Sequence, residues 1–222
     1  MEIRAVYHQK LQDIRNDVLF MSSMIEKALL SSVRALKKRD LTLAQTIIDD
    51  DEKINQKRFE IENKCIQLIV TQQPMAGDMR VIMAVVNVIT ELERIGDYAV
   101  GIARIVLLIG DEPPLKPLVT IPRMAEKTVD MLHRCMEAFI NHDAEAARKI
   151  VAEDDEVDHL YDELYRVLIT FMLEDPKTIT RATRLIWVSH NLERAADRVT
   201  NICERVVFTV TGKMEEIGAS RY

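Results

Sequence analysis

Residues Arg39–Asn55 read RDLTLAQTIIDDDEKIN, and residues His142–Asp158 read HDAEAARKIVAEDDEVD. Shifted by 103 positions the two stretches align: Asp40 falls on Asp143, Ala44 on Ala147, Ile47 on Ile150, Asp51 on Asp154 and Ile54 on Val157. A second register of 100 positions lays Leu92-Glu93-Arg94-Ile95-Gly96-Asp97 on Leu192-Glu193-Arg194-Ala195-Ala196-Asp197. The change of offset falls near Pro74 and Pro176, in loops where insertions are tolerated. The chain therefore reads as an internal duplication.

Proline rarely survives in a helix interior, so Pro74, the cluster Pro113–Pro122 and Pro176 cut the chain. Two polar breaks, Lys38-Arg39-Asp40 and Asn141-His142-Asp143, cut it further. Six helices result, over roughly 3–38, 41–72, 77–110, 120–141, 144–173 and 178–211, with ends good to about 2–4 residues. Short loops make neighbouring helices antiparallel, so each half is an up-down-up three-helix bundle. The expected fold is all-α, with two tandem pseudo-symmetric bundles over 1–112 and 119–214 rather than one large core. The stretch PPLKPLVTIP joins them.

Composition agrees. Only 6 Gly and 6 Pro in 222 residues, with 5% aromatics and 11 Met, favour long helices over a β-sandwich. A net charge of −6 lacks the basic footprint of a nucleic-acid binder. Cys65, Cys135 and Cys203 form no CxxC and read as small core residues, not as a disulfide framework or a thiolate metal site. The charged N-terminus, MEIRAVYHQKLQDIR, has no signal-peptide core, and the best apolar window, Ile102–Gly110, is far short of the ~20 residues needed to span a bilayer. A cytoplasmic protein is expected.

The chemistry lies in acids that share a face with apolar residues. At ~100° per residue, Ile47, Ile54, Ile61, Cys65 and Ile69 form one stripe, with Asp51 and Asn55 at ~40° and ~80° from its reference. In the second half Asp154 and Asp158 sit among Ile150, Val157, Leu164 and Leu168. Glu93 and Asp97 share a face with Ile82, Val86, Ile89 and Val100, while Glu193 and Asp197 share one with Ala182, Ile186, Thr200 and Val207. His190, Asn201 and Glu204 join the last face as possible additions. Buried carboxylates need a cation or hydrogen bonds, and pairs four apart on antiparallel helices can converge on one point. Hard cations such as iron, manganese, magnesium or calcium suit those oxygens. An acid pair four apart is also common on solvated helices; its alignment with an apolar stripe, twice over, points to a site.

The halves differ. Arg58 and Arg104 point into the first stripe, where the second half has Tyr161 and Glu204, so the arginines are expected to neutralise Glu93 and Asp97. The second half lacks them, and its bundle is expected to bind metal more tightly. Trp187, one step from the acidic face, reads as packing. Glu156-Val-Asp-His159 stands alone, whereas a ferritin-like oxidase needs two Glu-x-x-His motifs. There is no phosphate-binding GxxxxGK[ST] loop, no GxSxG elbow and no nucleophile–base pair, so no enzymatic activity is expected.

The stretch Glu193-Arg-Ala-Ala-Asp197-Arg-Val-Thr-Asn201-Ile-Cys-Glu204, continuing to Gly212-Lys213, resembles the C-terminal signature of the PhoU proteins, accessory regulators of the phosphate-specific ABC transporter. Gln72-Gln73-Pro74-Met-Ala-Gly-Asp78-Met-Arg80, followed by Asp97 in LERIGD, resembles the N-terminal one. The resemblance covers essentially the whole chain. It implies two three-helix bundles, metal clusters (iron, zinc, manganese or magnesium) on the Glu/Asp-x-x-x-Asp pairs, and a homodimer. It also implies a negative regulator of the phosphate-starvation response, standing between the transporter's ATPase subunit and a membrane sensor histidine kinase. Membrane contact would then be peripheral, through partners. Carried over by position, Glu193, Asp197, Asp154 and Asp158 match best, then Glu93, Asp97, Asp51 and Asn55. Gly101 and Arg104 depart from the family pattern, which commonly has Asn and Glu there. The alternatives are a carboxylate-bridged metal storage or redox protein, or an accessory of a different phosphate transporter.

Overall fold

A computed structural model describes residues 2–217, with side chains from Val6 onward. Helix α1 spans Glu2–Lys38, about 55 Å at 1.5 Å per residue. It turns through Arg39, whose φ of 56° is left-handed, into Asp40, which caps α2 (Leu41–Gln72) by accepting from the Leu43 backbone N–H. The corresponding turn in the second repeat is built the same way. His142 is left-handed at φ 54°, and Asp143 accepts from the N–H groups of Glu145 and Ala146. Each cap contributes about 1 kcal/mol, which explains why the repeat is sharpest here. Helix α3 runs Ala76–Ile109 and ends at Gly110, where φ is 63°. After the proline-rich linker, α4 covers Thr120–Asn141.

The fifth expected helix, 144–173, is interrupted. Helix α5 covers Ala144–Val151 and α6 covers Asp154–Glu174, with Ala152 and Glu153 in a turn between them. No Gly or Pro marks this break. Glu153 is drawn aside by α4: it accepts from Lys127 Nζ at 2.6 Å and from Arg134 Nη1 and Nη2 at 2.8 and 2.6 Å. The first-repeat counterpart of this turn lies within the unbroken α2. Pro176–Thr178 then make a 3-10 turn that leads into α7, Ile179–Thr211.

Helices α1–α3 form one bundle and α4–α7 the other, as the duplication requires. Their interiors are not separate: α3 packs extensively on α7, α1 packs on α4, and the buried residues of both halves form one continuous apolar core. The expectation of two independent cores fails because α3, the most apolar helix, has partners on three sides. The α3–α7 pairing is antiparallel. At one end Arg80 fills the space a side chain at Gly212 would need, and at the other Arg181 Nη1 reaches the Pro113 carbonyl at 3.5 Å. The two signature stretches thus meet in space. No helix among the described residues is long and apolar enough to cross a membrane.

Candidate metal centre

The eight acids and amides lie along two seams, α2 with α3 and α6 with α7. They sit at the edge of the apolar stripes and not in their centre. In the first bundle Asp51, Asn55 and Glu93 are half-buried, but Asp97 is exposed. The rotation of α3 is set by its three partners, which take Leu92, Ile95, Gly96, Ala99 and Val100 inward and leave Asp97 on the rim. Asn55 Nδ2 donates to Asp51 Oδ2 at 3.2 Å. Burial, then the Asp97 charge, raises the carboxyl pKa of both Asp51 and Glu93; Arg104 opposes this for Asp51 and Arg58 for Glu93. The expected neutralisation by arginine therefore falls on Asp51 and Glu93.

The second seam is more strongly perturbed. Burial, then the charges of Asp158, Asp197 and Glu193, pushes Asp154 up to about 7. Glu193, with only 14% of its side chain exposed, is pushed up to about 7 by burial and then by Asp197. Asp158 and Asp197 are raised as well, chiefly by burial. Asp154 Oδ1 and Glu193 Oε2 are buried without a hydrogen-bond partner, an arrangement that costs about 1–3 kcal/mol per group. His190 Nδ1 stands 3.3 Å from Glu193 Oε2 without hydrogen-bond alignment, and burial lowers the His190 pKa.

Tyr161 and Glu204 stand where the first half has Arg58 and Arg104, but a guanidinium on α7 itself is present: Arg194 Nη1 donates to Asp197 Oδ2 at 2.7 Å. Two of the possible additions are engaged elsewhere. Asn201 Nδ2 donates to Glu91 Oε2 on α3 at 3.3 Å, and Glu204 Oε1 accepts the Ile217 backbone N–H at 3.0 Å. Trp187 is 57% exposed and is not core packing. Glu91, which the 100-residue register pairs with Asn191, lies outside the acid pairs and takes Asn201 and Arg198 of α7 as its partners.

The donor set fits a hard cation: four mutually repelling carboxylates with two orphaned oxygens. It is not closed around a point, however, since among the described residues no three His, Cys, Asp or Glu side chains are gathered tightly enough to hold a metal ion. Closure would require the side chains to swing inward.

A duplicated three-helix unit with acid pairs repeated on equivalent helices defines a tandem helical-bundle protein of the kind built from two homologous domains. Residues 18–106 and 121–206 each match the PhoU domain, and the chain belongs to the PhoU family. It is 38% identical over 186 residues to the phosphate-specific transport system accessory protein PhoU homolog of Aquifex aeolicus, covering 84% of each chain. It is 34% identical to the Escherichia coli phosphate-specific transport system accessory protein PhoU, over 95% of this chain and 88% of that one. The crystal structure of PhoU from Pseudomonas aeruginosa superposes with a TM-score of 0.88 at 33% identity, over 93% of this chain and 100% of that one.

Proposed function

We propose that the chain is a non-enzymatic, metal-binding accessory regulator of phosphate uptake. In this reading it represses the phosphate-starvation response by coupling the ATPase subunit of the phosphate ABC transporter to a sensor histidine kinase. Its relatives' names as phosphate-specific transport system accessory proteins support the phosphate connection. The observation that carries the metal part is the pair of orphaned carboxylate oxygens, on Asp154 and Glu193, within one cluster of acids whose pKa values burial and mutual repulsion raise. Asp154, Asp158, Glu193 and Asp197 would hold the ion, with Asp51, Asn55, Glu93 and Asp97 as a weaker counterpart. An iron, manganese, magnesium or zinc ion held by these residues would supply the positive charge that the acids of α6 and α7 lack. The chain would act in the cytoplasm as a homodimer, reach the membrane only through its partners, and bind no nucleic acid.

Deletion of the gene is expected to give constitutive expression of phosphate-uptake genes; intact repression would sink the regulatory reading. Metal analysis of the purified protein is expected to show a larger loss for Glu193→Ala than for Glu93→Ala. Equal losses overturn the ranking of the two seams. A two-electron oxidation of iron by oxygen on the purified protein would favour the storage or redox alternative, and a gene neighbourhood with another phosphate transporter would move the partner.

A further inference from the structure

We infer that the open groove between α1 and α2 is a docking site for an acidic amphipathic helix of a protein partner. The groove holds about 480 Å³. Its floor is apolar and recessed: Ile47 and Ile54 are buried, and Met24, Ala28 and Leu43 are half-buried. Lys27 and Arg34 of α1 line it, both exposed, and neither makes an ion pair or hydrogen bond among the described residues. Asp50, the acid of the lining, is turned to Lys53 of its own helix at 2.5 Å.

The duplication shows what closes the equivalent space. The 103-position register, carried back from the matching turns into α1 and α4, lays Met24 on Lys127, Ser31 on Arg134 and Asp50 on Glu153. In the second repeat Glu153 is drawn against α4 by Lys127 and Arg134, cations seven residues apart. The first repeat also has two cations seven apart on its first helix, Lys27 and Arg34, each three residues further along. Its Asp50 pairs with Lys53 and with neither of them. A carboxylate for Lys27 and Arg34 therefore comes from another molecule. The floor narrows that molecule to a helix. Met24 pairs with Ala28, and Leu43 with Ile47 and Ile54, at helical spacing along about 15 Å of groove, so the apolar stripe of a helix laid there meets them in register. Glutamates seven apart on that helix match the ~10 Å between Lys27 and Arg34. A flat lipid surface does not reach a recessed floor. A two-fold contact with a second copy would set these cations against their own like.

The groove uses none of the proposed metal ligands and does not rest on a phosphate role. The full-length protein at low salt is titrated into a fluorescein-labelled peptide of three copies of Leu-Ala-Gln-Leu-Glu-Ala-Gln, and into counterparts with Gln or Lys in place of Glu, with fluorescence anisotropy as the readout. Saturable binding is expected with the Glu peptide, about fivefold weaker binding with Gln and none with Lys. Lys27→Gln and Arg34→Gln remove exposed, unpaired charges and should fold as the wild type, with circular dichroism as the check. They should weaken binding about threefold each and about tenfold together. Thr46→Glu puts a carboxylate into the groove from α2 and should weaken binding at least about tenfold. Arg166→Gln, which removes the same charge from the exposed surface of α6, should change nothing. No saturable binding, equal affinity for the Gln peptide, or wild-type affinity in the double variant or in Thr46→Glu overturns the proposal. Two other occupants would overturn it as well: phosphatidylglycerol vesicles, if they bind and the double variant abolishes it, or a second copy, if the double variant splits a dimer. None of these readouts measures metal content or gene expression, so this proposal and the regulatory reading fail separately.

Discussion

Asn201 Nδ2 donates to Glu91 Oε2 at 3.3 Å, and the residues that the 100-position register pairs with these two, Gly101 and Asn191, meet at the mirror-related place. The α3–α7 contact is thus a pseudo-two-fold interface. Tyr98 and Arg198, which the same register equates, interact with each other and mark its axis. Arg198 Nη1 also reaches Glu91 Oε2 at 3.4 Å. Contacts along this interface join the two repeats into one core.

The mirror pair explains why glycine is accepted at 101. A Cβ there would stand 2.7 Å from Asn191 Oδ1, whose own Nδ2 donates to the Trp187 carbonyl at 2.7 Å. Gly101→Ala gains about 1 kcal/mol of helix propensity but displaces that side chain. Stability in urea is expected to change by less than about 1 kcal/mol. In an Asn191→Ala background the same change should stabilise by about 0.5–1 kcal/mol, because the obstruction is gone.

Asp154 and Glu193 should make the metal-free protein weaker as pH rises. Both have folded pKa values of about 7, above their ordinary values of 3.8 and 4.5. Each contribution is fully present below the ordinary value and is lost as pH rises through about 7. Asp154→Asn and Glu193→Gln are therefore expected to stabilise the metal-free chain by about 1–3 kcal/mol at pH 8, with the gain vanishing near pH 4. Added manganese should raise the wild-type Tm more at pH 8 than at pH 5.5, since the ion competes with protons for these oxygens.

Glu153 should behave with the opposite sign. Hydrogen bonds from Arg134, then from Lys127, hold its pKa down at about 2, against an ordinary 4.5. Its contribution is present above pH 4.5 and lost as pH falls through about 2. Glu153→Gln is expected to cost about 1–3 kcal/mol at pH 7 and progressively less below pH 4.5. Urea unfolding of both proteins across that range checks it.

The thiols should be silent until the protein opens. Cys65, Cys135 and Cys203 are fully buried, and burial pushes the Cys65 thiol up to about 12 and that of Cys135 well above its ordinary value. A thiolate is needed for attack on a disulfide reagent. Native protein should therefore give no fast reaction with such a reagent at pH 8, and three thiols per chain after denaturation. Rapid native labelling would contradict the packing of α4 against α7, where Cys203 Sγ lies 3.1 Å from Cys135 Sγ.

Much of the fold is legible in local signals. The polar turns at Arg39 and His142, the proline at 74 and the 3.6-residue period of the stripes place helix ends within a residue or two, because caps and proline act on their own few residues. The acid pairs are legible too, since a four-residue spacing fixes which side chains share a helix face. The α5–α6 break is not, because its cause lies on α4. A sequence window around Glu153 shows a helix former in an acidic run; Lys127 and Arg134 are what take it out of the helix.

The amino-acid sequence by itself determined the helical class, the duplication and the repeated pairing of acids with apolar stripes, all of which follow from backbone periodicity and short-range capping. The tertiary structure decided how far each helix is rotated into its neighbours. That rotation left Asp97 on the rim and orphaned oxygens on Asp154 and Glu193. It also brought Cys135 to Cys203 and merged two cores into one. Rotation depends on the summed packing of side chains from helices distant in the chain, and no single helix carries that information.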